Sequence, residues 1–158
     1  MSKPARLSLA GVVCAALLAV TAASASAAMT VSLGQPTLTA RVAIKVPATV
    51  SCDPFDPSLT YFDDSVIVSV EQAAGRDIAK GTGSAFGFLP NLVFACDSAP
   101  HTVSVDAAAD ASGPPFHGGR AAFSATANAL AGFSCGNGCF FNLAGQSATS
   151  GSMTFNLH

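Results

Sequence analysis

Charge is scarce in this chain. Lys and Arg total seven and Asp and Glu nine among 158 residues, so charged side chains make up 10% of the sequence. No basic cluster stands out, which removes the electrostatic footprint that nucleic acid or an anionic lipid surface would need. No Asp or Glu follows Asp110, and the one histidine after Ser134 is the terminal His158. That deprives Gly132-Phe133-Ser134-Cys135-Gly136, which spells G-x-S-x-G, of the later acid and His that a nucleophile elbow requires. No helical pattern follows Ser134 either. The histidines His101, His117 and His158 lack the i, i+2 or i, i+4 spacing of metal ligands and read as turn residues. Asp53, Asp56, Asp63 and Asp64 lie close together without EF-hand spacing, and Pro54 and Pro57 stiffen their turn. The glycine-rich stretch 81–87 has no Gly-Lys-Ser/Thr ending and reads as a strand edge or bulge, not a phosphate loop. No catalytic residue, metal or cofactor is therefore expected.

Long apolar runs are also missing. The longest, Leu7 to Val20, has 14 residues, whereas a spanning helix needs about 20. Lys3 and Arg6 precede this run and the small residues Thr21 to Ala28 follow it. That order is a secretory signal peptide with cleavage near Ala28, after either Ala25-Ser26-Ala27 or Ser26-Ala27-Ala28. Cys14 sits inside the apolar run after Val13, not after a small residue, and goes with the leader. The expected division is a signal peptide over 1–28 and a domain over 29–158, with no membrane span in the mature chain. That chain holds five cations against nine acids, about −4 with His neutral. No sorting motif closes the sequence, so release into the medium is expected, with retention at the cell wall as the other outcome.

What the chain does contain is alternation. Leu38, Ala40, Val42, Ile44, Val46, Ala48, Val50 and Cys52 occupy one side of an extended segment, and mostly polar residues the other. Pro47 cannot donate to a ladder and is expected to break this segment or mark an edge. The pattern recurs at Val66-Val68-Val70, Leu92-Phe94-Cys96, Val103-Val105-Ala107, Ala121 to Ala129, and Met153-Phe155-Leu157. Turn residues separate the runs at 53–57, 74–77, 97–100, 112–115 and 136–138. Seven or eight short strands of this kind predict a β-sandwich or small barrel.

Without Cys14 the cysteines number four, and in an exported chain an even count favours disulfides. Three connectivities exist. Cys52 and Cys96 each end an inward row, which favours their pairing. Cys135 and Cys139 flank Gly136-Asn137-Gly138, which suits a bridge across a hairpin tip. Phe133, Phe140 and Phe141 surround that tip. Alternation lets only one of Phe140 and Phe141 face inward, so these three phenylalanines are the candidate binding residues.

Three stretches carry a resemblance: Val50-Ser51-Cys52-Asp53-Pro54, Ala95 to Val103, and Pro114 to Ala121. Through them the chain resembles a group of uncharacterised exported immunoglobulin-like β-sandwich proteins of high-GC Gram-positive bacteria. The resemblance implies a single immunoglobulin-like β-sandwich with two disulfides. It supports the Cys52–Cys96 pair and implies no activity. The tail, with its short cysteine loop, Asn142-Leu143-Ala144-Gly145 and Met153-Thr154-Phe155-Asn156, is similar to neocarzinostatin-type apoproteins, which hold a chromophore in a sandwich cleft. The long Cys52–Cys96 spacing departs from that family's other, short loop. Exported subtilisin inhibitors also have two disulfides, in a different cysteine arrangement. The expected function is non-enzymatic surface contact outside the cell, with an extracellular protein, a glycan or a small apolar ligand as partner. A small-ligand carrier with a cleft near 135–139 is one alternative. A protease inhibitor presenting the Pro114–Gly119 loop is the other.

Overall fold

A computed structural model describes residues 28–135 and 140–158. The expected signal peptide and its cleavage region before Ala28, and the expected bridged tip at 136–139, lie outside the described residues. Among the described residues there is no helix. Nine antiparallel strands are present: β1 (Met29–Leu33), β2 (Thr37–Ala40), β3 (Ala43–Cys52), β4 (Thr60–Ala74), β5 (Asp77–Phe88), β6 (His101–Ala109), β7 (Gly119–Ser134), β8 (Phe140–Thr149) and β9 (Met153–Leu157). They form one sheet in the order β1-β3-β6-β5-β4-β7-β8, with β2 also on β3 and β9 also on β7. β1 comes to lie against β7 and β8, so the sheet nearly closes on itself.

Nine strands, where the sequence predicts seven or eight, arise because two partners are each split in half. β1 and β2 both run along β3, and β8 and β9 both run along β7. Pro47 explains the first split and corrects the expectation placed on it. It does not interrupt β3, where it pairs with Ser104 of β6. Its carbonyl accepts from Gly34 N at 2.8 Å, so its donorless nitrogen faces the same neighbour. That neighbour is the break between β1 and β2, where no ladder bond is demanded. A Cβ on Gly34 would lie 3.0 Å from the Pro47 ring.

The alternation places the core. Ile44, Val46, Ala48, Val50 and Cys52 of β3 are each 0% exposed. They meet Val66, Val68 and Val70 of β4, Val103, Val105 and Ala107 of β6, and the odd residues Ala121 to Ala129 of β7. The alanine-rich stretch is a strand, as its period predicts: it pairs with β4 on one side and β8 and β9 on the other. Its small side chains let the neighbouring elements approach closely.

β4 and β5 form a hairpin of twelve residue pairs, whereas β5 meets β6 only at Gly81↔Ala109 and Thr82↔Ala108. The glycines make that short junction possible. A Cβ on Gly81 or Gly83 would run into the backbone carbonyls of Ala108 or Asp106. The stretch 81–87 is thus a full strand that crosses close over β6, not an edge. At the hairpin turn Gly75 has φ +68° and nothing near a Cβ, so backbone conformation alone limits substitution there. Gly75→Ala is expected to cost about 1 kcal/mol in urea unfolding, and a stability gain would contradict the turn geometry.

The predicted strand over Leu92, Phe94 and Cys96 is not one. Residues 89–100 form an irregular connection after an isolated bridge between Phe88 and Asn91. Phe94 is nevertheless buried, and the Cys52–Cys96 disulfide is present, with Cα atoms 4.8 Å apart across 44 residues of sequence. The bridge therefore ties the end of β3 to this connection and does not join two strands.

Buried polar groups replace the missing ladder. The inward row of β4 reads Asp64, Val66, Val68, Val70, Gln72, apolar in the middle and polar at both ends. Asp64 is 1% exposed. Its carboxylate accepts from Val93 N at 3.0 and 2.9 Å and from Phe94 N at 2.9 Å. A Cβ on Gly87 would collide with that carboxylate. At the other end, the Gln72 amide accepts from His117 N at 2.9 Å and donates to His117 O at 2.8 Å. Each end of β4 thus pins one long connection.

Candidate functional site

The side chains left outside the core are unevenly spread. On β5 the even residues face outward, and Phe86 and Phe88 are 69% and 54% exposed. They stand opposite Ser65 and Asp63 of β4. Those residues in turn stand opposite Asn128 and Leu130 of β7. A bulge after Ala131 then sets Phe133 opposite Phe141 of β8. Partners across a ladder share a face, and both rings are open, at 41% and 58%. Leu143, on the outward side of β8 across the bulge from Phe141, is 58% exposed, and Leu130 lies over Gly145. Leu89, just after β5, adds to the same end, and buried Phe62 packs edge-on to Phe88 at 5.9 Å. The end of the fold nearest Cys135 is therefore aromatic on both sides of the sheet: Phe86 and Phe88 lie on its outer face, and Phe133 with Phe141 continue the inward phase beyond the last core residue, Ala131. The outer side of β3 and β6 instead presents Lys45, Thr49, Thr102, Ser104 and Asp106.

Of the three phenylalanines singled out in the sequence, Phe133 and Phe141 are brought together here. Phe140 pairs through its backbone with Ser134, and its side chain lies outside the described residues. So do Cys139 and its expected bond to Cys135. Phe86, Phe88 and Leu143 are additions that the sequence reading missed. For the two phenylalanines the signal was present as the even phase of 84–88, masked by Gly87 between them.

Most of the remaining polar candidates meet partners within the fold. Asp53 accepts from Ala28 N and from Ser98 Oγ, and Asp56 from Ser58 N and Oγ. Asp64 holds the 93–94 backbone. The acids of 53–64 thus serve separate partners, and among the described residues no group of three metal-ligating side chains converges. His101 Nε2 lies 2.8 Å from Asp97 Oδ1, and this bond, with one from Ala99 N, holds the Asp97 carboxyl below its ordinary range. His117 sits at the opposite end with its ring nitrogens against the carbonyls of Gly118 and Ala73. Ser134 ends β7 and leads towards another strand. Phe116, within the loop considered as an inhibitor's, is 0% exposed and plugs the far end of the core.

Tyr61 donates to Asp64 at 3.0 Å. Burial first, then the Asp64 charge and this bond, then Asp63, push its phenol well above the ordinary value of 10. An unfolded tyrosine ionises near pH 10, so the contribution is complete below that pH and is lost as pH rises above it. Tyr61 is the one tyrosine, so the phenolate absorbance band reports it alone. The phenolate signal is expected to appear only together with loss of the strand circular dichroism. A phenolate forming at about pH 10 in the intact fold would contradict the buried hydrogen bond.

No family model, curated protein or solved structure matches this chain.

Proposed function

We propose that the chain is an exported, non-enzymatic immunoglobulin-like β-sandwich that works by surface contact through the aromatic end nearest Cys135. The observation that carries this is the gathering of open Phe86, Phe88, Phe133, Phe141 and Leu143 at one end of the fold. Scattered exposed apolar residues are ordinary, but a contiguous patch marks a contact surface. Rings this open suit a flat partner better than an enclosed small ligand. The strand order supports the sandwich: a boundary between β6 and β5 divides it into the layers β1-β3-β6 and β5-β4-β7-β8. The two-pair junction between β5 and β6 fits a chain leaving one layer for the other. In this reading the Cys135–Cys139 bond stiffens the hairpin beside the patch, and the leader directs export.

The test is retention of the mature protein on isolated envelope from the producing cells. Phe88→Ser with Phe141→Ser is expected to weaken it at least tenfold, about 1–2 kcal/mol per anchor. Both sites are open, so thermal stability should stay within about 0.5 kcal/mol of the parent. Undiminished retention in this double variant would overturn the reading.

A further inference from the structure

The far end of the molecule carries a different surface. An open groove of about 370 Å³ lies there, lined by Arg41, Ala74, Gly75, Pro114, Pro115 and His117 over the buried ring of Phe116. Arg41 has no ionic partner among the described residues, and no acid lines the groove. The charges of the whole fold are sorted along the strand axis. All five cations of the described chain, Arg41, Lys45, Arg76, Lys80 and Arg120, lie in the half that holds the groove. Glu71, Asp77, Asp106 and Asp110 share that half, but Lys80 is bound to Glu71 at 3.1 Å and Lys45 stands opposite Asp106. The half around the Cys52–Cys96 bridge has no Lys or Arg and carries Asp53, Asp56, Asp63, Asp64 and Asp97. Removing the leader would add one ammonium there, beside Asp53, and this end would remain net acidic.

We propose that copies of this chain associate head to tail, with the acidic Asp53-Pro54-Phe55-Asp56-Pro57 tip of one copy seated in the Arg41 groove of the next. The shapes and charges agree. The tip is a stiff, proline-bounded loop that displays Asp56 on its surface. Ser58 N and Oγ fix the orientation of that carboxylate, and the same bonds keep it ionised by lowering its pKa. The groove offers apolar proline walls and one guanidinium, which can take a carboxylate through two parallel bonds. Tip and groove are different patches at opposite ends, so the contact is heterologous and leaves one of each unfilled. Growth beyond a dimer follows from that asymmetry. The aromatic end is not used, so this contact stands or falls apart from the proposed function.

Analytical ultracentrifugation of the mature protein, with its disulfides formed, tests this. At low salt the average mass is expected to rise with concentration past that of a dimer. At 0.5 M salt, where the Debye length is only a few ångström, it should fall back towards monomer. Arg41→Glu and Asp56→Arg should each weaken association at least tenfold, and Asp56→Asn, which keeps the turn, by a smaller factor. An equimolar mixture of Arg41→Glu and Asp56→Arg should recover pairs, because each copy still has the end the other has lost. A monomer at all concentrations overturns the proposal, as does a species that stops at two. Association that grows with salt, is abolished by Phe88→Ser with Phe141→Ser and ignores Arg41→Glu would mean contact through the aromatic end instead, and would equally overturn it.

Discussion

Asp64→Ala is expected to cost about 3–5 kcal/mol in urea unfolding, among the largest effects of any single substitution in this chain. Two opposing effects set this value. A carboxylate 1% exposed without a cation beside it has surrendered its hydration, and deleting it would recover part of that cost. Against this stand three donors: Val93 N, Phe94 N and the Tyr61 hydroxyl, which would keep only a longer contact with Phe94 O at 3.4 Å. Leaving buried donors unsatisfied costs about 1–3 kcal/mol each. With two donors orphaned and a third weakened, the loss outweighs the recovered hydration. Asp64→Asn keeps one acceptor oxygen but turns its NH₂ towards donors, so it should lie between, near 2 kcal/mol. Amide exchange separates the two effects. Val93 and Phe94 should lose protection in Asp64→Ala while the β3–β6 ladder keeps it. An unchanged midpoint would mean that the buried charge was a burden and its hydrogen bonds worth little.

Asp64 also shows why part of the fold was hidden in the sequence. The valine row of β4 and the alanine row of β7 were legible because burial on one face imposes period two on the residues themselves. Leu92, Phe94 and Cys96 have the same period without a strand, because burial alone is enough to produce it. Their backbone is satisfied by a side chain some 30 residues away, and a local pattern cannot report that. Pro47 misled for a related reason. A proline excludes a ladder bond on one side, and the sequence does not say whether the strand or its partner gives way. The glycines at 81, 83 and 87 read as looseness, but they are clearances for a β6 backbone and for a carboxylate supplied from elsewhere. In the candidate site, Phe133 and Phe141 were legible as neighbours across one hairpin. Phe86 and Phe88 join them only through β4 and β7, whose order in the sheet no short segment encodes.

Loss of the Cys52–Cys96 bond is expected to cost about 4 kcal/mol, because it closes a 44-residue loop in the unfolded chain. The matched comparison is Cys135→Ala. If Cys135 is bonded to Cys139, so short a loop is worth about 2 kcal/mol on the same arithmetic. Thermal or urea midpoints of Cys52→Ala and Cys135→Ala should therefore differ by about twofold in free energy, and equal losses would contradict the pairing. The native contacts carry the argument one step further. The bridge, the Ser98 N bond to Cys52 O at 2.9 Å and the Asp64 carboxylate all hold the same 89–100 connection. Without the bridge, that connection can leave the body of the protein before the rest unfolds, and the Asp64 bonds are then already broken. Removing Asp64 in the bridge-free protein should cost at least about 1 kcal/mol less than in the parent, a coupling of the size seen between groups that share one element. Simple additivity of the two losses would show that disulfide and carboxylate anchor the connection independently.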